Sequence, residues 1–179
     1  MTTANKLTLL RMALIPVFLG LLYTGHGYWA LGVFIAASLT DTLDGYIARH
    51  YDQITDFGKF MDPLADKVLV MAAMCWFVEI GRMPGWALAV VLLREFAVSG
   101  MRLVAVEQGR VIAAGWSGKV KTAATMVCLC AMLALPAPRP WDSAPDFVAR
   151  IGTIVIVVTT LYSGVEYFIR NRDVFQAAK

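Results

Sequence analysis

Asp41, Asp44, Asp62 and Asp66 are the residues whose type and placement ask for chemistry, because they are carboxylates at the ends of apolar runs. A carboxylate in or beside hydrocarbon costs about 2.5–3.5 kcal/mol on insertion scales, so it persists there only with a compensating partner. Asp41 and Asp44 have an i, i+3 spacing and Asp62 and Asp66 an i, i+4 spacing, so on helices each pair projects from a single face. Two antiparallel helices joined by a short loop bring those faces together. Four carboxylates in one place repel one another unless cations neutralise them, and hard oxygen ligands of this kind suit Mg²⁺ or Mn²⁺. A divalent-metal site is the expectation. Asp52 and Asp56 instead read as solvated loop charges.

The neighbours of the quartet fit such a site. Gly45 and Ala48 lie beside the first pair, and Gly58 precedes Asp62 by one turn. Small residues allow close helix packing in membranes, and equally leave room for a flat, bulky ligand beside the metals. Arg49 ends the apolar run with a fixed charge suited to bidentate phosphate contact.

The elements that must position these residues follow from composition. Of the 179 residues 59% are apolar and 16% charged, and the mean hydropathy is +0.64. A soluble domain is nearer 45–50% apolar and about 25% charged, so lipid is the expected solvent. Crossing ~30 Å of hydrocarbon takes about 20 helical residues, and six segments qualify: 7–23, 28–49, 59–80, 84–107, 115–135 and 150–170. Turn chemistry separates them at Gly25-His26-Gly27, His50 to Gly58, Gly81-Arg82-Met83-Pro84, Gln108 to Gly115, and Pro136 to Pro145. The expected fold is all-α: one polytopic membrane domain over 1–179 with six transmembrane helices. Cys75, Cys128 and Cys130 lie within apolar runs and form neither a disulfide framework nor a zinc spacing.

Basic residues set the orientation. Lys6, Arg11, Arg49, Lys59, Arg110, Lys119, Lys121, Arg170, Arg172 and Lys179 fall on one side, against Arg82, Arg139 and Arg150 on the other. The first side is expected to be cytoplasmic, with both termini and the aspartates on it. Because the basic residues sit at the ends of apolar runs, no nucleic-acid partner is expected. A cation transporter fits poorly, since transport sites lie near the midplane of repeated halves, whereas these acids are at one face and no repeat is visible.

The string Asp41-Thr-Leu-Asp44-Gly45-Tyr-Ile-Ala48-Arg49, eight residues, then Gly58-Lys-Phe-Met-Asp62-Pro-Leu-Ala-Asp66 resembles the signature of the CDP-alcohol phosphatidyltransferase family at all eight fixed positions. The resemblance implies six transmembrane helices, a homodimer among membrane lipids, and a bacterial-type cytoplasmic (inner) membrane. It further implies two divalent cations bound by Asp41, Asp44, Asp62 and Asp66, release of CMP, and Asp66 as the base that activates the acceptor hydroxyl. Gly45, Ala48, Arg49 and Gly58 would then line the CDP-lipid site.

A second stretch narrows the resemblance. Arg94-Glu95-Phe96-Ala-Val-Ser99-Gly100-Met-Arg102, then Gly109 through Gly118-Lys119-Val-Lys121-Thr122, is similar to the phosphatidylglycerophosphate synthase branch, as is the opening Asn5-Lys-Leu-Thr8-Leu-Leu-Arg11. That branch implies CDP-diacylglycerol as donor and glycerol 3-phosphate as acceptor. An anionic acceptor needs cations, and Arg102, Arg110, Lys119 and Lys121 gather around the connection between the fourth and fifth spans. They could equally be positive-inside residues, and Lys119 and Lys121, two apart, cannot both face one ligand squarely. Serine, inositol phosphate or phosphatidylglycerol remain possible acceptors. Arg94 and Glu95, near mid-span, read as an intramembrane ion pair that orders the bundle.

Overall fold

The computed structural model describes residues 3–50, 56–110, 112–113, 115–135 and 146–173, with side chains described over 9–40, 67–110, 112–113, 115–135 and 146–173. The described residues form six helices: α1 (Thr3–Tyr23), α2 (Gly27–His50), α3 (Asp56–Glu79), α4 (Gly85–Glu107), α5 (Trp116–Ala134) and α6 (Phe147–Arg170). The all-α expectation holds, and each helix overlaps one predicted segment. The ends differ by up to four residues, most at the start of α1 (Thr3 against residue 7).

Three of the helices stop in the same way. Gly25, Gly81 and Gly109 adopt positive φ of 78°, 74° and 72°, a conformation that costs glycine nothing. After α3, the Gly81 amide donates to Val78 O and the Arg82 amide to Phe77 O. The pairs Gly25–Leu22 with His26–Leu21, and Gly109–Val106 with Arg110–Ala105, repeat this at α1 and α4. Each is a Schellman closure, satisfying carbonyls that the last turn leaves open.

Helix α1 packs against both α2 and α3, and α2 and α3 touch each other less than either touches α1. Helices α5 and α6 form the closest pair, α5 also lies on α2, and α4 rests on α6 and α3. Phe18, Phe34, Phe77, Met74, Leu129, Met132 and Ile156 are fully buried at the centre, with the Phe18 and Phe34 rings 5.6 Å apart. A smaller cluster of Val98, Met101, Ala105 and Tyr167 joins α4 to α6.

Polar contacts fix which ends lie together. At one end, Tyr23 Oη donates to Glu79 Oε2 over 2.5 Å, joining the last residues of α1 and α3. There too Arg82 Nε pairs with Asp146, while its Nη1 donates to Met132 O and Leu135 O at 2.7 and 3.1 Å. Asp146 Oδ1 in turn accepts from the Ala149 amide at 3.0 Å and caps α6. One guanidinium therefore ties the α3–α4 turn to the end of α5 and the start of α6. At the opposite end Arg110 pairs with Asp173 at 2.7 Å.

The outward faces are apolar: Leu93, Phe96 and Leu103 on α4 and Ile154, Leu161 and Ile169 on α6 are exposed, Phe96 at 73%. Contiguous exposure of this kind marks a surface made for lipid or for a partner. Among the described residues α5 and α6 are long and apolar enough to cross a membrane, and the apolar stretches Leu9–Tyr23 and Gly27–Thr40 are shorter. Cys75, Cys128 and Cys130 are free thiols.

Candidate active site

Asp41 and Asp44 lie in the C-terminal part of α2 and Asp62 and Asp66 in the N-terminal part of α3. Residues 51–55 are all that separates these helices, so the four carboxylate-bearing backbone positions share one end of the bundle. Gly45, Ala48 and Arg49 are on α2 and Gly58 on α3. The side chains of all eight lie outside the described residues. Among the described side chains no group of three or more His, Cys, Asp or Glu could hold a metal ion. A donor set of four carboxylates carried by two adjoining helix ends fits hard divalent cations in its chemistry.

Immediately inside that end is a cavity of about 260 Å³, lined by residues of α1 to α5. Ala37 and Ser38 on its wall stand one turn before Asp41, and Lys67 follows Asp66 directly. The cavity therefore opens where the aspartate-bearing segments begin. Three cations line it: Arg11, 1% exposed, with Lys67 and Lys121. Thr125, also on the wall and 2% exposed, has a hydroxyl with no hydrogen-bond partner among the described residues. Burying an unpaired hydroxyl is unfavourable, and a polar occupant of the cavity would satisfy it.

One carboxylate organises these cations. Glu95 Oε1 accepts from Lys121 Nζ at 2.6 Å and from Arg94 Nη1 at 2.9 Å, and its Oε2 is 3.8 Å from Lys67 Nζ. Lys67 Nζ also donates to Ser99 Oγ at 2.6 Å, and Arg94 Nη2 to Ser163 Oγ on α6 at 2.7 Å. Gly164 makes space for this arginine, since a Cβ there would stand 3.2 Å from Arg94 Cγ. The Arg94–Glu95 pair read from the sequence is therefore the middle of a network that joins α3, α4, α5 and α6.

The structure separates the four basic residues assigned to the acceptor phosphate. Lys121 lines the cavity with its side chain 8% exposed. Lys119, two residues earlier, is exposed with its ammonium 6.0 Å from the Trp116 ring centroid. Arg102 lies over the Tyr167 ring at 5.6 Å and donates from Nε to the Tyr167 hydroxyl at 3.3 Å. Arg110 lines a different cavity, of about 310 Å³, together with Ser117, Glu166 and Arg170. All four belong to the end of the bundle that carries the aspartates, but only Lys121 reaches the first cavity. Sequence reasoning passed over Lys67 and gave Arg11 no role in the site. The one available signal for Lys67 was its position directly after Asp66.

Comparison with known proteins gives the family. The family model described as CDP-alcohol phosphatidyltransferase matches residues 1–165. A Bacillus subtilis (strain 168) protein named CDP-diacylglycerol–glycerol-3-phosphate 3-phosphatidyltransferase is 40% identical, over 97% of each chain. The Escherichia coli (strain K12) protein of the same name is 37% identical over 90% of each. A Mycobacterium tuberculosis (strain ATCC 25618 / H37Rv) protein, named as a probable phosphatidylglycerophosphate synthase, is 38% identical over 96% of this chain and 82% of its own. With a match spanning the aspartate helices, the cavity and most of α6, the chain belongs to the CDP-alcohol phosphatidyltransferase family.

Proposed function

We propose that this chain is an integral membrane enzyme that transfers the phosphatidyl group of CDP-diacylglycerol to glycerol 3-phosphate, giving phosphatidylglycerophosphate and CMP. The observation that carries this reading is the cation-lined cavity directly inside the aspartate-bearing helix ends. It is supported by relatives named for that reaction along nearly the whole chain. The cavity suits a small anion, with the Lys67 and Lys121 ammoniums on its wall beside Arg11 and Glu95.

In this reading residues 1–179 form one membrane domain and all six helices cross the bilayer. The helices have 19 to 24 residues, or about 28–36 Å at 1.5 Å per residue, which matches a ~30 Å hydrocarbon core. Both termini and the active site face the cytoplasm of a bacterial-type inner membrane, and the working unit is a homodimer.

Asp41, Asp44, Asp62 and Asp66 would hold two divalent cations, Mg²⁺ or Mn²⁺, which when bound polarise the diphosphate and offset charge on the departing CMP. Gly45, Ala48 and Gly58 leave space for the cytidine end of the donor, and Arg49 grips its diphosphate. Lys121 holds the acceptor phosphate, with Arg102, Arg110 and Lys119 adding positive charge at the same end. Asp66 takes the proton from the acceptor hydroxyl as that oxygen attacks the β-phosphorus. Outward apolar faces keep the diacyl chains in lipid while the polar step runs at the interface.

The test is CMP release from CDP-diacylglycerol by the purified chain in mixed micelles, with glycerol 3-phosphate, serine, inositol phosphate and phosphatidylglycerol offered singly. Release is expected with glycerol 3-phosphate alone, abolished by EDTA and restored by Mg²⁺ or Mn²⁺. Release with serine but not glycerol 3-phosphate would overturn the acceptor assignment, and full activity after metal removal would overturn the metal site.

A further inference from the structure

Lys121 is the one assigned acceptor cation that reaches the inner cavity, and nothing on its own helix holds it there. Its ammonium donates 2.6 Å to Glu95 Oε1 across the α4–α5 contact, with both side chains largely buried. The same carboxylate lies 3.8 Å from Lys67 Nζ, and Lys67 is fixed a second time by Ser99, one turn further along α4. Arg94, the third cation on Glu95, points away from the cavity toward Ser163 of α6. Glu95 itself lines the cavity. A lysine has a flexible four-carbon stem and a compact charge, so its ammonium binds well only where something fixes it. A buried ammonium without an opposite charge is also costly.

From this arrangement we infer that Glu95 is a positioning residue for the acceptor. It holds the Lys121 ammonium and, together with Ser99, the Lys67 ammonium at the cavity wall where an acceptor phosphate enters. Two cations presented by one carboxylate retain net positive charge toward the cavity, so a phosphate can bind without displacing Glu95. The inference rests on the reading that Lys121 contacts the acceptor phosphate, and the test keeps the two apart.

The full-length chain and its Glu95→Gln, Lys121→Met and Glu95→Gln/Lys121→Met variants would be assayed by CMP release, with KM determined separately for glycerol 3-phosphate and CDP-diacylglycerol. A charge-assisted hydrogen bond is worth roughly one to two orders of magnitude in affinity. Lys121→Met is therefore expected to raise acceptor KM about tenfold or more, and Glu95→Gln to raise it by a similar factor. Donor KM should stay within about twofold in both. The double variant should raise acceptor KM by clearly less than the product of the two single effects, because Glu95 acts in large part through that lysine. KM does not depend on how much of the preparation is folded, so a general loss of stability cannot imitate this pattern. If Glu95→Gln leaves too little active enzyme, Glu95→Asp, one methylene shorter, is expected to show a smaller rise in acceptor KM alone. An unchanged acceptor KM in Lys121→Met overturns the acceptor site and the inference with it. A rise in Lys121→Met with none in either Glu95 variant, or additive effects in the double variant, overturns the role of Glu95 alone.

Discussion

Lys119 and Lys121 are two positions apart on one helix and meet opposite surroundings, one over an exposed indole and the other paired inside a cavity. The i, i+2 spacing forces that divergence, and it was legible in the sequence; which lysine turned inward was not. The aspartate quartet was legible because carboxylates beside hydrocarbon are too costly to be incidental. Lys67 and Arg11 could not be placed in the site, because one cation in an apolar run reads as a helix-end charge until neighbouring helices are packed against it. Asp66 gives the sharpest prediction at this scale. A general base contributes about 10²- to 10⁴-fold, so Asp66→Asn should lower kcat by that order while acceptor KM changes little. Single-turnover measurement of CMP formation would check it, and a variant that lost acceptor affinity with kcat intact would assign Asp66 to binding instead.

The helices themselves were the most legible level, since apolar runs of about 20 residues broken by Gly and Pro leave few alternatives. Less visible was how the ends are joined. Arg82 read as one of three basic residues on the minority side, yet it is largely buried and ties the α3–α4 turn to α5 and α6. Sequence spacing carries no information about such a contact, because Asp146 is 64 positions away. Burial alone would raise the Asp146 carboxyl, but the hydrogen bond from Arg82, the Ala149 amide and the Arg82 charge outweigh it and hold the group below its ordinary value. The stabilising effect is therefore complete above the pKa of an unfolded aspartate, about 3.9, and is lost as pH falls through the lower folded value. Replacing an N-cap aspartate by alanine costs about 0.5–2 kcal/mol, so Asp146→Ala should lower the melting temperature by a few degrees at neutral pH. The difference from wild type should shrink under acid. Equal melting temperatures at pH 7 would show that the clamp contributes nothing to stability.

For the whole molecule, the paired ends define two polar faces. One carries the α1–α2 turn, the Tyr23–Glu79 contact and the Arg82–Asp146 clamp. The other carries the aspartate-bearing ends of α2 and α3, the α4–α5 connection and the end of α6 with its Arg110–Asp173 pair. The sequence assigns ten of the basic residues in loops and at helix ends to the second face and three to the first. A bias of that size sets orientation during insertion, which in the proposed reading puts the second face on the cytoplasmic side, where a soluble acceptor can meet the CDP head of a lipid donor. His26, in the α1–α2 turn, and Arg172, just past α6, are both exposed and lie on opposite faces. In a background with Cys75, Cys128 and Cys130 replaced, a membrane-impermeant thiol reagent applied to intact cells should label His26→Cys. Arg172→Cys should be labelled only after permeabilisation. Between the two positions lie α2 to α6, five helices and so an odd number of crossings, and these sites face the same compartment only if an odd number of those helices fails to span. Equal labelling in intact cells would therefore overturn the six-crossing reading, and reversed labelling would keep all six while placing the aspartates and their cavity outside the cytoplasm.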